Sequence, residues 1–183
     1  VQDTTTDSVN ANIDEEVQQT VETHSEDFLI PPNSPTLLID ESTSRFSGTE
    51  WYNEIQKARI MLAGLGGIGS WVSLQLARMA PDALFMYDDD IVETVNLSGQ
   101  LYSKQMVGEF KVDSMAKLGK DFSDYRGTVA ISEKFTKDSE AKDIMICGFD
   151  NMTARKTFFN IWVNHVYKHK NPEKCLFIDG RLI

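Results

Sequence analysis

The fold is decided by the stretch Ala58–Ser70, which reads ARIMLAGLGGIGS. Its first part, Ala58–Ala63, is an apolar run that predicts a buried strand, and the glycines from Gly64 to Gly69 follow immediately. A helical stretch begins near Trp71. Glycines between a strand and a helix let the backbone turn tightly and approach a phosphate, whose charge the helix N-terminus stabilises. The pattern therefore predicts a nucleotide site at this turn.

Asp88 lies at the position where a nucleotide site of this kind requires an acidic residue. The apolar run Ala83–Tyr87 predicts a second strand that ends at Asp88, where a carboxylate can accept hydrogen bonds from ribose hydroxyls. The glycines and the acid do not separate NAD from ATP, so an NAD-dependent oxidoreductase stays open at this point. In the alternative without a ligand, the glycines only permit a tight crossover and Asp88 caps a turn.

The rest of the chain alternates strands with helices. Further helices are predicted at residues 49–57, 107–121 and Thr153–Val166, and further strands at residues 128–132, Asp143–Cys147 and Cys175–Ile178. This alternation is typical of an α/β protein. We therefore expect a Rossmann-like, mostly parallel sheet with helices on both faces.

The charge of the chain is concentrated at its start. The 183 residues carry a formal net charge of −10, and residues 1–44 hold ten acidic side chains but no Lys or Arg. We interpret residues 1–44 as an acidic disordered tail with a Pro-rich linker, and residues 45–183 as the nucleotide-binding domain. That domain is electrically balanced, so direct nucleic-acid binding is not expected.

Composition also bears on the setting of the protein. Neither an apolar run long enough to span a bilayer nor a signal peptide is visible, so no membrane association is expected. Cys147 and Cys175 lack CxxC spacing, which argues against a disulfide framework or a structural zinc site and favours a cytoplasmic location. His24, His165 and His169 show no partner spacing that would suggest a metal or a base.

Further blocks follow the glycine turn in a specific order. The chain has D-x-D-x-V, then N-L-x-x-Q, V-G-x-x-K and a D-N pair after a strand, and an R-F precedes the glycine strand. These blocks are Asp88–Val92, Asn96–Gln100, Val107–Lys111, Cys147–Asn151 and Ser44–Ser47. Together with the glycine turn they resemble the N-terminal portion of the adenylating domain of the ThiF/MoeB/ubiquitin-activating-enzyme (HesA/MoeB/ThiF) family, more specifically than they fit an NAD enzyme.

The resemblance implies an activity and partners. Such enzymes bind ATP and Mg²⁺ and transfer AMP to the C-terminal carboxylate of a ubiquitin-like or sulfur-carrier protein or a peptide. They are expected to form homodimers. Because Ile183 corresponds to the middle of the family's domain, the domain is expected to be incomplete at its C-terminus.

The resemblance also implies roles for single residues. The glycines would approach the phosphates, Asp88 would bind ribose, and Asp90 matches the family's second aspartate. Asn96 and Gln100 would sit beside the triphosphate, Lys111 would contact the phosphates and Asp150 would hold the magnesium. The implied nucleotide-binding and catalytic set is Gly64, Gly66, Gly67, Gly69, Asp88, Asp90, Asn96, Gln100, Lys111, Asp150 and Arg45. Alternatively, Lys111 is a solvated helix lysine and Asp150 a helix N-cap.

Two family arginines are glycines here, Gly48 and Gly99. Each lost charge-assisted phosphate contact is expected to cost about 1.5–3 kcal/mol. Either other cations substitute, with Arg45, Arg155 and Arg181 available, or the protein is a catalytically weak nucleotide-binding or assembly protein of the same fold. The sequence leaves both alternatives open.

Overall fold

The structure, a computed structural model, describes residues 45–46 and 48–181 of the 183. The predicted acidic tail and linker, residues 1–44, lie outside the described residues. Within them, helices and strands alternate as expected. The elements are α1 (Glu50–Lys57), β1 (Arg59–Ala63), α2 (Gly69–Met79), β2 (Ala83–Tyr87), α3 (Lys111–Ser123), β3 (Thr128–Ile131), β4 (Ile144–Cys147), α4 (Met152–Lys168) and β5 (Leu176–Asp179), with short 3₁₀ helices at Thr94–Ser98, Lys104–Met106 and Pro172–Lys174.

The five strands form one sheet in the order β3-β2-β1-β4-β5, and every pair is parallel. At the carboxyl end of β1, Ala63 lies opposite Tyr87 of β2 on one side and Cys147 of β4 on the other. The chain moves outward from β1 to β3 and then returns to the other side of β1 for β4. In such sheets the crevice at the point of reversal is where ligands bind. The predicted Rossmann-like α/β fold is confirmed.

Alternate side chains of the central strand enter two separate cores. Ile60 and Leu62 pack on one face with Ala77 of α2 and Met115 of α3. Met61 and Ala63 face the other way, towards a core that includes the fully buried Phe158 of α4. Because β1 is buried on both faces, its sequence reads as a continuous apolar run. No helix among the described residues is long and apolar enough to cross a membrane.

One predicted helix begins later than expected. The helix assigned to residues 107–121 starts at Lys111, because the preceding residues are extended or left-handed: Gly108 has a φ of 95° and Phe110 a ψ of 140°. Phe110 instead forms an antiparallel bridge with Ile91. The late start places Lys111 in the first turn of the helix, beside the acidic residues that follow β2.

The backbones after β1 and β4 touch at glycines. The amide of Gly148 donates to the carbonyl of Ala63 at 2.7 Å, and a Cβ on Gly148 would lie 2.4 Å from the Gly64 oxygen. Gly64 has a φ of 86°, and a Cβ on Gly69 would lie 1.8 Å from the same oxygen. Gly69 and Gly148 therefore both pack against the carbonyl of Gly64, and none of these three glycines has room for a side chain.

Gly148→Ala should destabilise the fold, because the added methyl group meets backbone atoms that cannot rotate away. We expect the free energy of unfolding to fall by about 1–3 kcal/mol or more, measured by urea denaturation. Gly99→Ala is the matched control, since Gly99 has a φ of −143° and no heavy atom within 4 Å of an added Cβ. The control should change stability by less than about 0.5 kcal/mol. Equal stabilities for the two variants would contradict the packing described here.

Candidate nucleotide site

A cavity of about 760 Å³ opens at the carboxyl edge of the sheet, at the point where the chain reverses. Its walls come from the glycine turn, the segment after β2, the loop after β3, the turn after β4 and the first turns of α4. Of the predicted site residues, the following line it: Gly64, Gly66, Gly67, Asp88, Asp90, Gln100, Lys111 and Asp150. The structure thus brings together residues that are far apart in the sequence.

The glycine turn presents an open backbone position to the cavity at Gly66. Gly66 has no heavy atom within 4 Å of where a Cβ would stand, whereas Gly69 packs against the Gly64 carbonyl and lies outside the cavity wall. Ile68 precedes α2 and supplies no capping side chain to its first amides. Uncapped amides at a helix N-terminus attract anions. The turn therefore suits a phosphate at Gly66.

Asp88 stabilises the glycine turn through hydrogen bonds to backbone amides. Its carboxylate accepts hydrogen bonds from the amide of Leu65 at 2.6 Å and from the amide of Asp90 at 2.9 Å. Burial raises the pKa of Asp88, while these amides and the nearby Lys111 oppose the rise. Since each carboxylate oxygen has a further lone pair, Asp88 can still accept a hydrogen bond from a ribose hydroxyl. Asp88 thus has a structural role whether or not a nucleotide is bound.

Lys111 is buried rather than solvated. Its side chain is only 7% exposed, and Nζ donates to the Asp90 carboxylate at 2.7 Å. The Lys111 amide also donates to the Asp90 carbonyl at 3.0 Å. Helix α3 therefore holds an ammonium group at the cavity wall, and the alternative of a freely solvated lysine is excluded.

Asp150 and Asn151 divide two tasks that the sequence could not assign. The side chain of Asn151 caps α4 by accepting from the Ala154 amide at 2.8 Å. Asp150 is exposed, lines the cavity and makes no ion pair with the described residues. Its carboxylate is thus available to a ligand, and the proposed N-cap role belongs to its neighbour.

The segment between β2 and α3 is fastened to the glycine turn. Ser70 Oγ accepts from the Leu101 amide at 3.0 Å and donates to the Gly66 carbonyl at 2.7 Å. The buried hydroxyl of Tyr102 donates to the Leu65 carbonyl at 2.7 Å, and burial raises the pKa of Tyr102. Gln100 directly precedes Leu101 and Tyr102, and its buried Oε1 has no hydrogen-bond partner among the described residues. This segment therefore delivers Gln100 to the cavity.

Besides Gly69, two further predicted residues lie outside the cavity wall. Asn96 does not line the cavity, and its Oδ1 accepts from the Glu93 amide at 2.8 Å within a local capping box. Arg45 is exposed and does not line the cavity. Their roles remain predictions, which would require the segments around them to move or to meet a partner.

Two cations at the cavity wall were not assigned to the site from the sequence motifs. Lys134 comes from the loop after β3 and lies 3.8 Å from the Asp89 carboxylate. Arg155 of α4, named above as a substitute cation, pairs with Asp179 at the end of β5 and donates to the Gly180 carbonyl. No sequence motif marks Lys134, because only the parallel pairing of β2 with β3 brings its loop to this edge.

The comparison with known protein families agrees with this geometry. The ThiF family model matches residues 40–171. The chain belongs to the ThiF family. Membership accounts for the order of the motifs along the chain and for their meeting at the carboxyl edge of the sheet.

The alignments with individual relatives cover part of this chain and a smaller part of each relative. The chain is 26% identical over 132 residues to the adenylyltransferase and sulfurtransferase Uba4 of Aspergillus niger, covering 64% of this chain and 27% of that protein. It is 27% identical over 121 residues to ubiquitin-like modifier-activating enzyme 5 of Culex quinquefasciatus, covering 57% of this chain and 30% of that protein. The chain thus spans less than a third of the length of these two relatives.

The fold has solved counterparts. The E. coli tRNA N6-threonylcarbamoyladenosine dehydratase TcdA, solved in complex with ATP, matches with a TM-score of 0.62 and 22% identity, over 77% of this chain and 60% of that one. At this identity the likeness shows the fold alone. It supports the assignment of a ThiF-type sheet to this chain.

Gly48 and Gly99, the glycines at positions where the resemblance predicts arginine, differ in conformation. Gly48 has a φ of 83°, which an arginine would adopt only with strain, whereas Gly99 has a φ of −143° and open space at its Cβ position. The backbone around Gly48 is therefore adapted to glycine. An arginine at position 99 would meet no backbone obstacle.

Tyr102→Phe should destabilise the protein by about 1–3 kcal/mol, because it leaves the buried Leu65 carbonyl without its donor. Urea denaturation gives the stability, and amide hydrogen exchange at Leu65 and Leu101 should speed up. Tyr52→Phe is the matched control, since the buried Tyr52 hydroxyl has no partner among the described residues. The control is expected to be neutral within about 0.5 kcal/mol or stabilising. An equal loss in both variants would mean that the Tyr102 hydrogen bond does not hold the turn.

Proposed function

We propose that this chain is the nucleotide-binding part of an ATP- and Mg²⁺-dependent adenylyltransferase. It would activate the C-terminal carboxylate of a ubiquitin-like or sulfur-carrier protein, or of a peptide, as an acyl-adenylate. The observation that carries the proposal is the position of Asp150, a carboxylate with no ion pair among the described residues, in a cavity that also holds the glycine turn and Lys111. The similarity to Uba4, an adenylyltransferase and sulfurtransferase, and to ubiquitin-like modifier-activating enzyme 5 supports the same reaction class.

The charge of the cavity supports the proposed Mg²⁺ dependence. Four carboxylates line it, from Asp88, Asp89, Asp90 and Asp150, against three cations from Lys111, Lys134 and Arg155. Each of these cations already has a carboxylate partner. A triphosphate entering this cavity therefore needs additional positive charge. A Mg²⁺ ion would supply it by neutralising and orienting the phosphate oxygens, and Asp150 offers the hard oxygen ligand that this ion prefers.

The residues of the chain would then divide the work. Gly66 and the start of α2 take a phosphate, Lys111 turns from Asp90 towards the phosphates, and Asp88 accepts from the ribose. The acceptor carboxylate attacks the α-phosphorus through one oxygen. The bond from that phosphorus to the bridging oxygen breaks, and pyrophosphate leaves. Because a carboxylate is already ionised at neutral pH, no general base is needed. Catalysis consists of positioning and charge neutralisation.

Asp150→Ala should abolish ATP–pyrophosphate exchange by the protein with its acceptor, because the metal ligand is lost. The fold should be retained, since Asp150 is exposed and makes no ion pair with the described residues. Asp121→Ala is the matched control, as Asp121 is exposed on α3 and away from the cavity. Its exchange rate should equal that of the wild type. Full exchange activity in Asp150→Ala would refute the metal role.

A second candidate is a protein of the same fold that binds nucleotide but transfers AMP poorly. The pairing of every described cation at the cavity with a carboxylate favours it, together with glycine at positions 48 and 99. This candidate would be identified by saturable ATP binding without pyrophosphate exchange. The exchange assay would be run with a ubiquitin-like or sulfur-carrier protein and with a peptide as acceptor. Homodimerisation, expected from the family, is measured separately by the mass in solution.

Gly99→Arg distinguishes a missing cation from a replaced one. If the cavity lacks a phosphate contact, an arginine beside Gln100 should tighten ATP binding about tenfold, the equivalent of one charge-assisted hydrogen bond. Gly48→Arg is the comparison, since its φ of 83° makes the substitution strained and should lower stability. Isothermal calorimetry gives the affinities and urea denaturation the stabilities. Unchanged ATP affinity in Gly99→Arg would mean that other cations already do this work.

A further inference from the structure

Four side chains with metal-binding atoms meet at the edge of the sheet opposite the nucleotide cavity. Their ligand atoms all lie within 4.8 Å of one another. We call this group the His–Cys cluster; it consists of Asp143, His165, His169 and Cys175. The sequence shows no partner spacing for His165 and His169, but the fold places a carboxylate and a thiol next to them. His24 lies outside the described residues.

The topology explains why these residues meet. Asp143 directly precedes β4 and Cys175 directly precedes β5, and these strands pair in parallel with Ile144 opposite Leu176. Asp143 and Cys175 are therefore neighbours at the amino ends of adjacent strands. α4 returns from the carboxyl edge, so its last turn comes back to this end of the sheet and brings His165 and the C-cap residue His169. The i, i+4 spacing puts both rings on one helix face.

Hydrogen bonds hold the group in place. His165 Nε2 lies 2.7 Å and His169 Nε2 lies 3.4 Å from the same oxygen of Asp143. The indole of Trp162 donates to the Asp143 carbonyl at 3.2 Å, which fixes the backbone of that residue against α4. The Cys175 amide donates to the Pro172 carbonyl at 3.0 Å, so a 3₁₀ turn positions the thiol.

We propose that the His–Cys cluster binds one Zn²⁺ ion, which ties the end of α4 to the starts of β4 and β5. Two imidazoles, a thiolate and a carboxylate are donors that zinc accepts in a tetrahedral site. A thiolate and a carboxylate together neutralise the charge of the ion. In such a site the ligand atoms stand about 3.3–3.7 Å apart. The contact between His165 and Asp143 would therefore have to open slightly.

The four ligands are not equivalent. The amide of Asn171 donates to His169 Nδ1 at 3.1 Å, so the neutral ring carries its proton on Nε2, the atom that faces Asp143. Ligation through Nε2 requires the proton to move to Nδ1 and the Asn171 contact to break. His169 should therefore be the weakest ligand, and His165 and Cys175 should contribute most to zinc affinity.

The test uses the full 183-residue chain after removal of metal with EDTA and transfer to metal-free buffer. Titration with ZnCl₂ should show one bound equivalent by elemental analysis, and Tm should rise until that equivalent is reached. MgCl₂ should leave Tm unchanged. In the alternative, Asp143 only pairs with the two histidines, so zinc would neither bind with this stoichiometry nor raise Tm; that result would overturn the proposal.

Cobalt gives a readout of the ligands themselves. Co²⁺ in a tetrahedral site with a thiolate shows visible d–d bands and a sulfur-to-cobalt charge-transfer band in the near ultraviolet. Cys175→Ser should lose the charge-transfer band and His165→Ala should weaken Zn²⁺ binding at least tenfold, with His169→Ala affected less. Cys147→Ala is the control, because that thiol is buried in β4 outside the cluster and should keep the spectrum. Loss of the band in Cys147→Ala but not in Cys175→Ser would overturn the assignment.

This proposal does not rest on the proposed function. The cluster lies at the amino ends of β4 and β5, whereas the nucleotide cavity lies at the carboxyl edge of the sheet. Zinc binding can therefore be established or refuted in a protein with no measurable ATP binding.

Discussion

The structure depends on the contact of two backbone turns at the centre of the sheet. The carbonyl of Gly64 is enclosed by Gly69 and Gly148, at distances that leave no space for any Cβ. This contact lets β1 and β4 remain adjacent up to their last residues while α2 begins at once. Of these glycines, Gly64 and Gly148 also line the nucleotide cavity, so the contact fixes part of its wall.

Much of this arrangement follows from local sequence. Apolar runs bounded by glycine or acidic residues predict β1, which is buried on both faces, and β2, which is buried on one face and half-buried on the other. The start of α3 was harder, since the run before Lys111 has helical apolar spacing but is held extended by the bridge between Phe110 and Ile91. In this segment the helical pattern is overridden by a backbone pairing with a residue distant in the sequence, which a single sequence does not reveal.

The site divides in the same way. The glycine turn, Asp88, Lys111 and Asp150 belong to motifs with fixed spacing, so their presence at the cavity follows from the sequence pattern. Lys134 has no motif, and it reaches the cavity only through sheet order. The sequence pattern also did not predict that Lys111 pairs with Asp90. Nor did it predict that Asn151, rather than Asp150, caps α4. Residue type constrained the chemistry, but the pairing of charges depended on three-dimensional neighbours.

Helix α4 connects the two ends of the sheet. It has 17 residues, so it is about 26 Å long, with Arg155 near one end and His165 near the other. Phe158 lies between them, fully buried among Phe135, Phe149 and Phe177. These aromatic contacts anchor the helix near its middle. Any tilt that an ion imposes at one end would reach the opposite end, and thermodynamic linkage makes such an effect reciprocal.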